Sequence, residues 1–118
     1  MSNFNSMLYK LLGSRIKRRR EELDMNQSLL GEKAEIGRAS ISNIEKGRQK
    51  PPLSLIYRIC HELDIDVHSV LPTYKEIEVT IEAESSKSSL KLYFEKVNLD
   101  ENLQKEIDSL FNNKTDDI

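Results

Sequence analysis

Arg38, Ala39, Ser42 and Asn43 recur about one helical turn apart on a short segment, and Lys46, Arg48 and Lys50 follow it at two-residue steps. A guanidinium fork matches O6 and N7 of guanine, a carboxamide matches N6 and N7 of adenine, and an alanine methyl can meet a thymine methyl. Cations at the end of such a segment can neutralise phosphates. The competing reading is a solvated polar face with a basic turn. Bond-making chemistry has thinner material: Cys60, His61 and His68 are the only thiol and imidazoles. Neither histidine has a carboxylate at a telling spacing, and two imidazoles without a third ligand make a poor metal site. No catalytic residue, metal or cofactor is expected.

Short helices must position these side chains. Leu8, Leu12, Ile16, Arg20 and Leu23 recur at three- and four-residue steps, which predicts a first helix over residues 6–23 with one inward face. Asn26 is a good N-cap for a second helix carrying Leu29, Leu30 and Ala34. A break at residues 35–37 precedes a third helix over 38–46, in which Ile41 and Ile44 face inward. Gly47 suits its C-terminus. Pro51 and Pro52 block continuation. A fourth helix carries Leu53, Ile56, Ile59, Cys60 and Leu63, and Asp66 is placed to cap a short fifth one with Val67, Val70 and Leu71. Two short helices joined by a tight turn form the helix-turn-helix arrangement, whose second helix enters a major groove.

From residue 73 the pattern changes. Ile77, Val79 and Ile81 alternate with Glu78, Thr80 and Glu82, and Leu90, Leu92 and Phe94 alternate with Lys91, Tyr93 and Glu95. Alternation of this kind predicts two strands of a β-hairpin around a Ser-rich turn at 84–89. Leu99, Leu103, Ile107, Leu110 and Phe111 then predict a helix, and the polar residues 112–118 a frayed end. The expected architecture is mainly α: five helices in a domain of residues 1–72, then a β-hairpin and a helix over 73–118.

Composition narrows the class. The chain has 118 residues, 37% apolar and 32% charged, with no apolar run near the ~20 residues that span a bilayer. The first residues lack the order of a secretory signal, and a lone Cys60 closes no internal disulfide. A cytoplasmic protein without a membrane partner is expected. Residues 1–72 hold 12 Lys/Arg against 9 Asp/Glu, and residues 73–118 hold 6 against 11. Only the front suits a polyanion.

Residues 12–72 resemble the Cro/cI phage-repressor, or XRE, family of helix-turn-helix proteins. The resemblance rests on Arg20, Gln27, Leu30, Ala34, the run Ile41-Ser42-Asn43-Ile44-Glu45, Gly47, Pro52, Ile59, Leu63 and the closing segment 67–71. It implies that Arg38, Ala39 and Asn43, with Ser42 beside them, read bases. It implies phosphate contacts for Gln27, Ser40, Lys46, Arg48 and Lys50, and a structural salt bridge between Arg20 and Glu45. Three residues depart from the family pattern: Glu35 where a glycine is usual, Gly37 where a Ser/Thr cap is usual, and Gly31 where alanine is usual. Cys60 takes the place of a packed alanine. The run Arg15, Lys17, Arg18 and Arg19 reads as a solvated face paired with Glu21 and Glu22.

The resemblance implies a sequence-specific, dimeric transcriptional regulator of double-stranded DNA, a repressor on an inverted-repeat operator. Alternatives are a DNA-binding antitoxin, whose C-terminal segment neutralises a toxin, and a restriction–modification controller. Residues 73–118 are too few to bury much apolar surface alone. Ile77, Val79, Ile81, Leu92, Phe94, Leu103, Ile107, Leu110 and Phe111 are expected to form a homodimer interface, with a packed appendage or a protein antagonist as the other occupants.

Overall fold

The structure, a computed structural model, describes residues 2–85 and 100–112. The chain divides into two units, Met1–Pro72 and Thr73–Ile118. In the first, α1 spans Ser2–Glu22, α2 Gln27–Ala34, α3 Arg38–Glu45 and α4 Leu53–Glu62, and Val67–Ser69 forms a 3₁₀ turn. Helix α1 starts four residues earlier than its apolar period predicts. The expected fifth helix is only that 3₁₀ turn, closed by Ser69 N–H donating to the Asp66 carbonyl at 2.9 Å. Asp66 makes no side-chain cap there.

Apolar positions three and four apart meet in one core. Leu12 and Ile16 of α1, Leu30 and Ala34 of α2, Ile41 and Ile44 of α3, and Ile56, Ile59 and Cys60 of α4 are all buried together. Helix α3 packs on both α1 and α2, and α4 packs on α2. The α1–α3 crossing is tight at Gly13. A Cβ there would lie 2.6 Å from the Glu45 carbonyl oxygen, and closer still to that of Ile44. Only glycine permits this approach to two backbone carbonyls.

The turn between α2 and α3 runs through Glu35. That residue is left-handed at φ 61° and ψ 39°, a strain of about 1–3 kcal/mol for a side chain with a Cβ. Ile36 N–H donates to the Gly31 carbonyl at 2.8 Å, and Glu35 N–H to that of Glu32 at 3.2 Å. The Glu35 carboxylate meets Arg58 of α4 at 2.9 Å, an exposed pair. At its start, α2 is capped by Asn26, whose side chain accepts from Leu29 N–H at 2.8 Å.

The basic run on α1 is not a simple solvated face. Arg15 is buried. Arg19 donates from Nε to the Leu63 carbonyl at 2.9 Å and from Nη2 to that of Asp64 at 3.3 Å. It therefore places a cation on the two carbonyls that directly follow α4, beside the helix C-terminus, where the dipole favours one. Its contact with Glu22, at 3.4 Å, is the looser one.

The second unit corrects the expected fold class. Ile77, Val79 and Ile81 lie on a helix, α5 (Tyr74–Ser85), and no strand occurs among the described residues. Its start explains why. Thr73 Oγ1 accepts from Glu76 N–H at 3.1 Å, and Glu76 Oε1 accepts from Thr73 N–H at 2.8 Å. This reciprocal capping box nucleates a helix directly after Pro72. Ile77, Val79, Thr80 and Ala83 then form one buried face. Thr80 satisfies its hydroxyl by donating to the Glu76 carbonyl at 2.7 Å. Three alternating residues were a coincidence of helix and strand periods. The expected second strand, with Leu90, Leu92 and Phe94, lies outside the described residues, as do 113–118.

The expected last helix is α6 (Glu101–Asn112). Asp100 Oδ1 accepts from Asn102 N–H at its start, at 2.6 Å. Val79 and Ala83 of α5 and Ile107 of α6 make a small core, with Leu103 and Phe111 partly buried against it.

Two outcomes follow from this packing. Gly13→Ala forces α1 and α3 apart and lowers stability by about 1–3 kcal/mol in denaturant titration. Burial pushes the Cys60 thiol up to about 11 from 9.0, with Asp66 adding a smaller push. Folding thus favours the neutral thiol, a contribution intact below pH 9 and lost as pH climbs from 9 toward 11. Across that window the wild type loses of order 3 kcal/mol more stability than Cys60→Ala.

Candidate nucleic-acid interface

Helix α3 has a dry side and a wet side. Ile41, Ile44 and Glu45 are buried. Arg38, Ala39 and Asn43 are exposed, and Ser40, Ser42 and Lys46 are half-buried. A helix with its side chains is about 10–12 Å across, which suits a major groove about 12 Å wide. Gly37 offers no side-chain cap, so backbone alone closes the first turn, with Ser40 and Ile41 N–H donating to the Gly37 carbonyl. After α3 the chain folds back on its end: Arg48 N–H donates to the Asn43 carbonyl at 2.9 Å, and Gln49 N–H at 3.2 Å. Arg48 and Lys50 are exposed on that return.

The far end of α3 is held by one carboxylate. Arg20 of α1 donates from Nε to Glu45 Oε2 at 2.7 Å and from Nη2 to Oε1 at 3.0 Å. Its Nη1 donates to the Met25 carbonyl at 2.7 Å, in the α1–α2 turn. The Gln27 Nε2 at the start of α2 donates to Glu45 Oε1 at 3.0 Å. Three helices therefore meet at Glu45, whose side chain is 2% exposed against 9% for Arg20. The bond to Glu45 raises the Arg20 pKa above its ordinary value, outweighing burial, so the guanidinium stays charged at any working pH.

Gln27 thus has two faces. One amide hydrogen is committed to Glu45. The other, with the first-turn N–H groups of Gln27 and Ser28, has no helical carbonyl behind it. A helix start of this kind attracts a phosphate oxygen.

The structure brings Arg38, Ala39, Ser42 and Asn43 together on one side of α3, and sets Lys46, Arg48 and Lys50 after it. It joins Arg20 and Glu45 to Gln27. The residues given to dimerisation divide: Ile77, Val79 and Ile107 are buried, Ile81, Leu103, Leu110 and Phe111 are half-buried, and Leu92 and Phe94 lie outside the described residues. The role of Gly13 is not legible in the sequence, because a glycine within a helical pattern carries no sign of what crosses it. The Thr73-x-x-Glu76 spacing was legible as a capping box and outweighs the alternation that follows it. Among the described residues, no cluster of His, Cys, Asp and Glu could hold a metal ion, and no helix is long and apolar enough to cross a membrane.

Arg20→Met removes one partner of a buried pair and leaves the Glu45 carboxylate with Gln27 alone. The expected loss is about 3–5 kcal/mol in chemical unfolding, far above the 0–1 kcal/mol of a surface pair.

Comparison with known proteins agrees with this geometry. The helix-turn-helix family model matches residues 16–69. The HTH-type transcriptional regulator SinR of Bacillus subtilis (strain 168) is 33% identical over 69 residues, 58% of this chain and 62% of that protein. SinR of Bacillus licheniformis matches to the same extent. The chain thus spans about three fifths of the length of these curated relatives. Residues 16–69, with α2 and α3 as the paired helices, are a helix-turn-helix segment of the Cro/cI, or XRE, type.

Proposed function

We propose that this chain is a DNA-binding transcriptional regulator that lays α3 in the major groove of double-stranded DNA. The observation that carries the reading is the outer side of α3. Arg38, Ala39 and Asn43 are exposed on a helix whose inner side and far end are locked into the bundle. In this reading Arg38 bonds guanine, Asn43 adenine, and Ala39 packs on a thymine methyl, with Ser42 at the groove wall. Gln27, Ser40, Lys46, Arg48 and Lys50 hold phosphates, which fixes register and makes affinity fall with salt. The relatives' printed names, as transcriptional regulators, support the same class of function.

The regulator works as a homodimer on an inverted repeat and represses by occluding a promoter. Two copies of α3 enter successive major grooves about 10 base pairs apart. Ile81, Leu103, Leu110 and Phe111 retain half-exposed apolar surface in the second unit, which is the material for a partner contact. That unit carries the chain's excess of acidic residues, so it stays off the DNA.

Selection of bound duplexes from a random pool at fixed salt tests the reading. The wild type selects an inverted repeat. Arg38→Ala loses preference at one base pair per half-site, with about 1–3 kcal/mol less discrimination there. Equal weakening on every sequence would assign Arg38 to a phosphate, and recovery of no preferred sequence would remove the regulator reading.

A further inference from the structure

Helix α1 extends well before residue 16, where the family match begins. That extension meets the basic return after α3. A Cβ on Gly47 would lie 3.0 Å from both the Cα and the backbone nitrogen of Lys10, and 3.1 Å from its Cγ. Gly47 stands between Lys46 and Arg48, and its φ of 76° turns the chain there. The Lys10 side chain therefore begins against the basic return and ends in solvent, since Lys10 is exposed. One turn of the return further on, the Lys50 ammonium sits 5.8 Å from the centroid of the Tyr9 ring. Tyr9 is half-buried and packs on the core of the first unit, so its ring is a fixed platform.

From these contacts we infer that the N-terminal extension of α1 is a second edge of the nucleic-acid interface. Lys10 contacts a backbone phosphate beside those held by Lys46 and Arg48. Tyr9 is a positioning residue that holds the Lys50 ammonium toward the same strand. The chemistry is that of a polyanion rather than a single base. Four cations, Lys10, Lys46, Arg48 and Lys50, surround one tight turn, and a lysine is a point charge suited to phosphate rather than to base edges. A ring face attracts an ammonium within about 6 Å without neutralising it, so Lys50 is pre-placed and still cationic. The inference rests on the DNA-binding reading and extends it to residues outside the matched segment.

The test is binding of the full-length chain to a 30-base-pair duplex of random sequence and to its selected duplex, across a series of salt concentrations. Lys10→Ala weakens both duplexes alike and lowers the slope of log affinity against log salt by about 0.9, one phosphate contact. Lys10→Arg restores the slope. Tyr9→Leu keeps apolar bulk in the core and weakens binding about two- to fivefold, whereas Tyr9→Phe keeps the ring and binds like wild type. In a Lys50→Ala background, Tyr9→Leu has no further effect. An unchanged slope and affinity for Lys10→Ala would overturn the inference while leaving the regulator reading intact. A Tyr9→Leu loss that persists without Lys50 would overturn the positioning role. Absence of wild-type binding to either duplex at low salt would overturn the DNA-binding reading, and the inference with it.

Discussion

Glu45 is a charge at the end of a short helix, almost wholly withdrawn from water. A lone carboxylate in that position would be prohibitive, so the fold supplies both of its oxygens with donors. Arg20 gives two N–H groups in fork geometry and Gln27 gives a third. The guanidinium reaches one residue further, to the Met25 carbonyl, and ties the α1–α2 turn to the same point. A buried pair of this kind adds little net stability compared with apolar packing. What it adds is registration. Helix α3 is eight residues long and has a Gly cap, too short to hold itself in place. With its far end fixed by Glu45 and its carbonyls seated against Gly13, its outer side points away from the bundle in one pose.

Three non-glycine residues of the same unit are left-handed, Asp24, Glu35 and Asp64, and Glu35 is the one that bears on the reader helix. The left-handed Glu35 occupies the turn that sets the angle between α2 and α3. The turn survives because backbone hydrogen bonds from Glu35 and Ile36 return to α2, and because Gly31 leaves room for the Ile36 carbonyl. Two departures from the family pattern thus compensate each other: a side chain gained at 35 and a methyl omitted at 31.

Much of the first unit was legible from residue spacing. Apolar residues three and four apart give the inward faces of α1 to α4, and Asn26, Gly47 and the two prolines mark their ends. What spacing could not give was the partner of each polar residue. Arg19 reads as one of a solvated run, yet it holds two carbonyls just past the end of α4, far along the chain. Gln27 reads as a phosphate contact at a helix start, yet it also buttresses Glu45. In the second unit, three alternating residues favoured a strand, and local capping won. Thr73 and Glu76 satisfy each other's backbone groups before any sheet partner is available, and Ala83 completes a helical face that an isolated hairpin would lack.

In the proposed reading, the outer side of α3 and the return after it form the surface that meets DNA. Amide chemical-shift mapping during titration with the selected duplex tests it most directly. The largest changes are expected at Gln27 and Ser28, from Arg38 to Asn43, and from Lys46 to Lys50. Changes confined to α5 and α6, with α3 silent while the duplex is bound, would contradict it.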